Sequence, residues 1–467
     1  MNKLKALPNL MRASALLCVS MALTQPALAE IGKRFPSERQ VVTDPITGTP
    51  LTFLTTQPHG DAKIYQTHPQ WTSDGQWLIF RSAMVAGEAM AVNEQTGDIV
   101  QVTEGGYDGM LNPAQKSMRL FFLREAEPRA KGTPPAVEVK KQVVAVDLAR
   151  LFADSKAGTL KKAEHYQRIV GEVPAELGAV GDTALDADED WFYFRVGSKA
   201  AAAKHLPPGT KIEPPFGPRN MGAGPTGIAK MNVLTGAIQH VVSVPFQIGH
   251  IQANLWNPGE LVFSWETGGK SPQRTWTVKG DGTGLRPLYP ESEHEWVTHE
   301  AIIGKDEVAL AIMGHRPIPG VEHKGPAGTG VEGPNPGQDA AWGPSGTREK
   351  PTGLAIVNLR SREMQIVGQT PSGSGLWHVH GSADGRWAVG DDFARGLYLI
   401  DRKTSEMMLL SAGHKDTARD HIHPTFSPDG TRIQIQSAML SPDGRGMNIV
   451  VVPVPQAWLK RAVAGKP

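Results

Sequence analysis

The chain has 467 residues and a formal net charge of +1, with 40% of the residues hydrophobic and 20% charged. This near-neutral charge excludes a protein that binds nucleic acid through a strongly basic surface. The 51 glycines and 37 prolines indicate a fold rich in turns, because these residues are typical of turns and loops.

The first 29 residues have the pattern of a secretory signal peptide. A positively charged start and an apolar run are followed by Ala27-Leu28-Ala29, which fits a cleavage site. The apolar run is too short to span a membrane, and no other segment approaches that length. The single cysteine, Cys18, lies in this segment, so the mature chain has no thiol ligand and no disulfide. We expect a protein that is exported to the periplasm and is not inserted in a membrane.

Residues 30–467 carry one repeating unit. Each unit has an opening strand, a polar turn, a second strand, a variable loop and a third strand, which ends in a turn such as Asn93-Glu94-Gln95-Thr96-Gly97. Seven units begin near Ile64, Tyr107, Gly178, Ile248, Trp296, Trp377 and His421. The seventh unit lacks a fourth strand, which a segment near Val41 or Leu51 can provide. The pattern predicts an all-β fold, a single seven-bladed β-propeller whose ring is closed by an N-terminal strand.

Three loops between the second and third strands of their units are long. They are residues 125–141, residues 197–226 and the Pro/Gly-rich insertion 314–352. The second strand of a blade returns to the face on which the first strand begins, so these loops and the strand openings should share one face. That face is the expected place for a cleft. Short helical turns are expected near residues 146–153 and 456–464.

Histidines recur at or near the start of the opening strands. The histidines at these positions are His68, His250, His299, His378, His421 and His423. We expect His421 and His423 to lie on one face of a strand, because side chains alternate along a strand. A hydrogen bond to a neighbouring blade is our interpretation of His68. For His299, His421 and His423 we favour metal binding, because imidazole is a ligand of Mn, Zn, Fe and Ni.

In several of its segments the chain resembles the oligogalacturonate lyases, which are seven-bladed propellers that act on short pectin fragments. The segments that carry the resemblance are Phe35-Pro36-Ser37-Glu38-Arg39, Asp44-Pro45-Ile46-Thr47-Gly48, Ile248-Gly249-His250, Arg274-Thr275-Trp276 with Asp281-Gly282, Thr298-His299-Glu300 and His421-Ile422-His423-Pro424. The resemblance implies a manganese ion bound by histidines and a glutamine. It also implies β-elimination by a histidine base, with an arginine that neutralises the substrate.

The resemblance assigns the metal ligands to His299, His421 and His423. It places the glutamine ligand three residues before His421, where this chain has Ala418. We therefore expect His378, with His380 or a water as alternatives, to complete the metal site.

The resemblance also assigns two residues to the elimination itself. His250 is the expected base. The arginine is expected about where this chain has Pro225, and the nearest arginine is Arg219, in the long loop of the third unit. Arg219 is therefore our candidate for the group that neutralises the substrate.

The predicted function is a divalent-metal-dependent carbon–oxygen lyase, with Mn²⁺ as the expected ion. Its expected substrate is an oligogalacturonide or a related acidic oligosaccharide from pectin degradation. The alternative is a non-catalytic periplasmic propeller, similar to TolB, that binds a glycan or a protein. Such a propeller does not need a set of histidines in its channel. A propeller-bearing serine peptidase is excluded, because the chain has no G-x-S-x-G motif and no residues left for a hydrolase domain.

Overall fold

A computed structural model describes residues 30–127, 138–215, 219–269, 271–291, 296–312, 353–368, 376–418 and 420–461. The predicted signal segment and the predicted insertion 314–352 lie outside the described residues. The strands in the first half of the chain are β1 (Arg34–Phe35), β2 (Gln40–Thr43), β3 (Pro50–Phe53), β4 (Asp61–Lys63), β5 (Trp77–Ser82), β6 (Ala89–Asn93), β7 (Ile99–Gln101), β8 (Asp108–Pro113), β9 (Arg119–Glu125), β10 (Lys141–Asp147), β11 (Gln167–Val173), β12 (Ala179–Leu185), β13 (Trp191–Val196), β14 (Ala223–Asn232) and β15 (Ile238–Phe246). The strands in the second half are β16 (Ile248–Ala253), β17 (Glu260–Trp265), β18 (Thr275–Lys279), β19 (Arg286–Pro287), β20 (Val297–Gly304), β21 (Glu307–Ile312), β22 (Gly353–Asn358), β23 (Met364–Gly368), β24 (Leu376–Gly381), β25 (Trp387–Asp392), β26 (Leu397–Asp401), β27 (Met407–Ser411), β28 (Thr425–Phe426), β29 (Arg432–Ser437) and β30 (Asn448–Pro453).

The strands form seven small antiparallel sheets, which confirms the predicted seven-bladed β-propeller. With hydrogen-bonded neighbours joined, the sheets are β4-β5-β6-β7-β1, β8-β9-β10-β11, β12-β13-β14-β15, β16-β17-β18-β19, β20-β21-β22-β23, β24-β25-β26-β27 and β28-β29-β30-β3-β2. The opening strands β8, β12, β16, β20, β24 and β28 contact one another in this order. They therefore line the centre of the ring.

Helices are short in the described part of the chain. They are α1 (Leu148–Ala157), α2 (Lys199–Ala203) and α3 (Gln456–Leu459), with 3-10 turns at Ala163–His165 and Ala175–Leu177. The Asp147 side chain accepts a hydrogen bond from the backbone N–H of Arg150 at the start of α1, and Gly158 ends this helix with a φ of 69°. Helices α1 and α3 confirm the two predicted helical segments. None of the described helices has the length and apolar character of a membrane span.

The apolar core lies between adjacent blades. One cluster joins Ile79 and Val100 of the first blade to Phe122 and Val144 of the second, and all four side chains are fully buried. A strand that is packed on both faces has an almost continuous run of apolar residues in its sequence. The sequence Leu120-Phe121-Phe122-Leu123 in β9 is an example.

The N-terminal segment closes the ring, as predicted. β3 pairs with β30 through Thr52↔Val451 and Phe53↔Val450, and β2 pairs with β3. β1, which the sequence did not predict, pairs with β7 at the outer edge of the first blade. Strands from the N-terminal segment therefore pair with both the first blade and the last blade.

Replacing Phe53 with alanine tests this closure. The Phe53 side chain is fully buried on β3, so the cavity left by the substitution should lower the free energy of unfolding by about 3–5 kcal/mol. Val41→Ala, on β2, is the control, because Val41 is 57% exposed and should change stability by less than about 0.5 kcal/mol. Denaturant unfolding of both variants gives the comparison. Equal effects would contradict the closure.

Candidate metal and catalytic site

A cavity of about 660 Å³ opens where the opening strands begin. All six residues predicted for the site line it: His250, Arg219, His299, His378, His421 and His423. Gly268 and Gly269, after β17, also contribute to the wall. Arg219 belongs to the predicted long loop 197–226, so this loop and the strand openings share one face, as predicted. The placement of the loops 125–141 and 314–352 on this face stays a prediction.

Three of the cavity histidines have a left-handed backbone conformation. The φ angle is 50° at His250, 52° at His299 and 47° at His423. The pairing register breaks around His250 between β16 and β17, and around His299 between β20 and β21. Such a bulge re-aims the side chain of the bulged residue. Left-handed φ at residues other than glycine is strained and clusters at functional sites.

The opening strand of the seventh blade begins later than predicted. β28 starts at Thr425, so His421 and His423 precede the strand. The prediction that they share one face of a strand is therefore wrong. Pro424 has no N–H group for the ladder, and the left-handed φ of His423 breaks the alternation of side chains. Both imidazoles nevertheless line the cavity.

Four of the histidines pack as one cluster around His378. The centroid of the His378 ring lies 3.6 Å from that of His423, 4.2 Å from that of His299 and 5.2 Å from that of His421. Burial lowers the pKa of His378 to about 3, and it also lowers the pKa of His299 well below its usual value. Both side chains are therefore neutral near pH 7, which is the form that binds a metal.

Asp391 orients two members of this cluster. Its carboxylate lies 3.0 Å from Nδ1 of His421 and 3.4 Å from Nδ1 of His378. Burial opposes ionisation of Asp391, but the contacts with the two histidines outweigh it and lower the pKa of this carboxyl. An ionised Asp391 accepts hydrogen bonds from Nδ1–H of both rings. Both Nε2 atoms then carry free lone pairs, as in a metal site with an orienting carboxylate.

The other two members of the cluster also have their Nδ1 atoms occupied. The Tyr65 hydroxyl lies 2.6 Å from Nδ1 of His299, and Oε1 of Gln66 lies 2.8 Å from Nδ1 of His423. Nε2 of His299 is buried, and in the described part of the chain it has no hydrogen-bond partner. Buried polar atoms are normally satisfied. A divalent cation at this atom would satisfy it, so the donor set fits a metal site.

Asp420 adds an oxygen donor to the cluster. One of its carboxylate oxygens lies 2.7 Å from Nε2 of His423, and the other accepts a hydrogen bond from Gln436. Ala418, at the position of the expected glutamine, is buried in a small apolar cluster. Asp420 directly precedes the His421-Ile422-His423 motif, but no role was predicted for it.

Two further histidines of the channel lie outside this cluster. His380 lines a separate cavity of about 240 Å³, so it is not placed to complete the metal site. Nε2 of His68 lies 2.7 Å from the carbonyl oxygen of Thr183 in the third blade. The contact confirms that His68 bonds to a different blade, but this blade is not the neighbouring one that was predicted, because the second blade lies between the first and the third.

His250 lies beside the cluster in a network of buried charges. Its Nδ1 is 3.0 Å from Oε1 of Glu300, and its Nε2 is 3.6 Å from Oε2 of Glu266. The buried Arg274 lies between the two carboxylates, with Nε 3.0 Å from Glu300 and Nη2 3.2 Å from Glu266. Burial opposes protonation of His250, but the contacts with Glu300 and Glu266 outweigh it and raise the pKa of His250. Since Glu300 accepts from Nδ1–H, Nε2 is the basic atom of this ring.

The arginines of the cavity wall differ in whether a carboxylate is paired with them. Arg195 is paired with Asp182 at 2.8 Å, and Arg274 is held by its two carboxylates. Arg219 is exposed and lies against Gly268, where a Cβ would come within 2.6 Å of its side chain. No carboxylate pairs with Arg219 among the residues that the structure describes. Its guanidinium is therefore open to an acidic ligand in the cavity.

Two solved structures have the same fold over almost the whole chain. An oligogalacturonate lyase in complex with manganese has a TM-score of 0.66 at 17% identity, over 92% of this chain and 100% of that chain. The oligogalacturonate lyase from Vibrio parahaemolyticus has a TM-score of 0.64 at 17% identity, with the same shares covered. No protein-family model and no curated protein matches the chain. At this identity the likeness establishes the fold alone, and the chain has the seven-bladed propeller fold of these lyases.

Proposed function

We propose that this protein is a metal-dependent lyase that cleaves oligogalacturonides, or a related uronate oligosaccharide, by β-elimination. One observation carries the proposal. A single cavity holds four clustered histidines, whose Nδ1 atoms are all engaged by other side chains, together with a separate histidine held by a carboxylate. The first arrangement suits a metal and the second suits a base. That one structural neighbour is a lyase in complex with manganese supports the proposal.

His299, His378, His421 and His423 would hold the ion, with an oxygen of Asp420 as a further donor. We propose Mn²⁺ because one structural neighbour is a lyase in complex with manganese, although a set of imidazoles also accepts Zn²⁺, Fe²⁺ or Ni²⁺. When bound, the cation stabilises negative charge on the carboxylate of the uronate as a Lewis acid. Arg219, on the wall of the cavity, would add a second positive charge for the substrate.

In its neutral form, His250 removes the proton from C5 of the uronate through Nε2. The electron pair of the C5–H bond becomes the C4–C5 double bond. The bond between C4 and the glycosidic oxygen breaks, and that oxygen keeps the electron pair and takes up a proton. Glu300 holds the ring in the correct tautomer by accepting from Nδ1–H. A positioned base of this kind contributes about 10²–10⁴-fold to a rate.

Replacing Glu300 with glutamine should shift the pH dependence of the reaction. His250 is a base only when it is deprotonated, so activity rises with pH through its pKa. Glu300 raises that pKa, and its loss should move the rising limb to lower pH. The profile of kcat/KM against pH gives the measurement. The exposed Glu363→Gln variant is the control, and an unmoved limb in Glu300→Gln would contradict the role of Glu300.

An ultraviolet assay tests the proposed activity. The C4–C5 double bond is conjugated with the carboxylate of the product, so turnover appears as a rise in ultraviolet absorbance. The metal-loaded protein should give this rise with digalacturonate or with another short uronate oligomer. No rise with any uronate oligomer, together with a histidine cluster that takes up no metal, would contradict the proposal. That result would favour a non-catalytic propeller.

The place of action is also a proposal. The pattern of residues 1–29 supports export to the periplasm, where short pectin fragments would meet the enzyme.

A further inference from the structure

Trp377 forms part of the cavity wall next to the histidine cluster. Its side chain is half-buried and lines the cavity. The centroid of its ring lies 4.4 Å from that of His299 and 6.2 Å from that of His421. The residue therefore lies on the side of the cavity where the metal ligands are.

Two buried aromatic residues support this ring. The Phe393 centroid is 5.1 Å from that of Trp377, and Trp296 meets the indole edge-on at 6.0 Å. Aromatic pairs at these distances and angles are stabilising. They hold the indole in place, and the part of Trp377 that stays exposed lines the cavity together with Trp296. Since most of the other wall side chains are charged or titratable, Trp377 gives the cavity a large apolar surface.

We propose that Trp377 is a stacking platform for the substrate. The sugar that adjoins the reacting uronate lies on its indole ring. The inference rests on the proposed lyase function and identifies a residue that sets affinity and chain-length preference. The C–H groups on one face of a pyranose ring make an apolar patch, and an indole in a water-filled cavity is the complementary surface. The charged carboxylate of the reacting uronate is met by other groups, namely the histidine cluster and Arg219.

The stereochemistry of the substrate assigns the platform to the neighbouring ring. In galacturonate the hydrogens on C3, C4 and C5 lie on the same face. His250 must approach that face to remove the C5 proton, so the same face of the same ring cannot lie on an indole. The contacts of Trp377 with His299 and His421 place it on the metal side of the cavity, where the adjoining sugar can reach it.

Two variants of Trp377 test the platform. Trp377→Leu keeps an apolar side chain but removes the aromatic face, and we expect it to raise KM for digalacturonate about tenfold. The calorimetric Kd for digalacturonate should rise by the same factor when it is measured in a His250→Ala background, which stops turnover. Metal content and affinity for monomeric galacturonate should stay nearly unchanged, because a monomer does not reach the platform. Trp377→Phe should keep most of the affinity. Trp256→Leu is the control, because Trp256 is an exposed tryptophan on the separate, smaller cavity.

The outcomes separate the platform from the activity. An unchanged KM and Kd in Trp377→Leu would overturn the platform and leave the lyase proposal intact. Loss of bound metal in both variants would also overturn it, because Trp377 would then only support the histidines. If the wild-type protein gives no elimination product, the lyase proposal fails, and the calorimetric Kd alone decides the platform. In that case, weaker binding of digalacturonate by Trp377→Leu but not by Trp377→Phe upholds it, and no binding by the wild-type protein overturns it.

Discussion

Replacing His250 with alanine is expected to lower kcat by roughly 10²–10⁴-fold and to leave the metal content unchanged. Nε2 of His250 is the basic atom of the ring because Nδ1–H is engaged by Glu300 at 3.0 Å. The ring packs on Tyr65 with centroids 5.0 Å apart, but it does not belong to the histidine cluster. Its removal should therefore abolish proton abstraction without emptying the metal site.

His240→Ala is the matched control for this variant. His240 is an exposed histidine on β15, stacked on His205 outside the cavity. We expect its kcat to equal that of the wild-type protein. If His250→Ala kept full activity, His250 would not be the base. If it lost both activity and metal, His250 would be a ligand instead.

Replacing His299 with alanine is expected to weaken metal binding by more than about a hundredfold, since even the loss of a residue that only orients a ligand costs about 10–100-fold in affinity. The buried Nε2 of His299, without a partner in the described residues, is the atom best placed for the ion. An ion present at a hundred times its Kd stabilises the folded state by about 2.7 kcal/mol. The rise in melting temperature on adding Mn²⁺ should therefore be clear in the wild-type protein and nearly absent in His299→Ala.

His165→Ala is the control for the metal experiment, because His165 is an exposed histidine of a 3-10 turn. It should keep the Mn²⁺-dependent shift in full. Metal analysis of the purified proteins gives an independent readout. Equal metal content and equal thermal shifts in wild-type protein and His299→Ala would contradict the assignment of His299.

Repetition made the fold predictable. Turns such as Ser427-Pro428-Asp429-Gly430 and the apolar strands between them recur with each blade, so strand order and the number of blades follow from the sequence. Closure by the N-terminal segment followed from counting strands in the last unit. The position of the cavity followed from the alternating direction of strands within a blade.

Local backbone geometry was not predictable in the same way. The left-handed φ angles of His250, His299 and His423 have no signal in the sequence, because non-glycine residues rarely adopt them and the surrounding blades must impose them. The prediction of a strand through His421 and His423 failed for this reason. Alternation of side chains is a rule for regular strands. His421 and His423 precede β28, and the strands that carry His250 and His299 are bulged.

The hydrogen-bond partners of the cavity histidines were not predictable from the sequence either. Tyr65 contacts His299 from 234 residues away in the sequence, and Asp391 contacts His378 from the next strand of the same blade. Nothing in the sequence around Tyr65 or Asp391 marks either residue as a partner of these histidines. Glu300 and Arg274 lie inside segments that carry the family resemblance, but no role was predicted for either residue. Only the arrangement of the blades brings these two residues together beside His250, where they are also paired with each other.

Elimination and hydrolysis are distinguished by the mass of the products formed in water enriched in heavy oxygen. The metal-loaded protein is incubated with digalacturonate, and the products are analysed by mass spectrometry. Elimination predicts one ordinary galacturonate and one unsaturated product that is lighter by one water, with no heavy oxygen incorporated at the cleaved bond. Two saturated galacturonates, one of which carries heavy oxygen from the solvent at that bond, would mean hydrolysis and would contradict the proposed lyase.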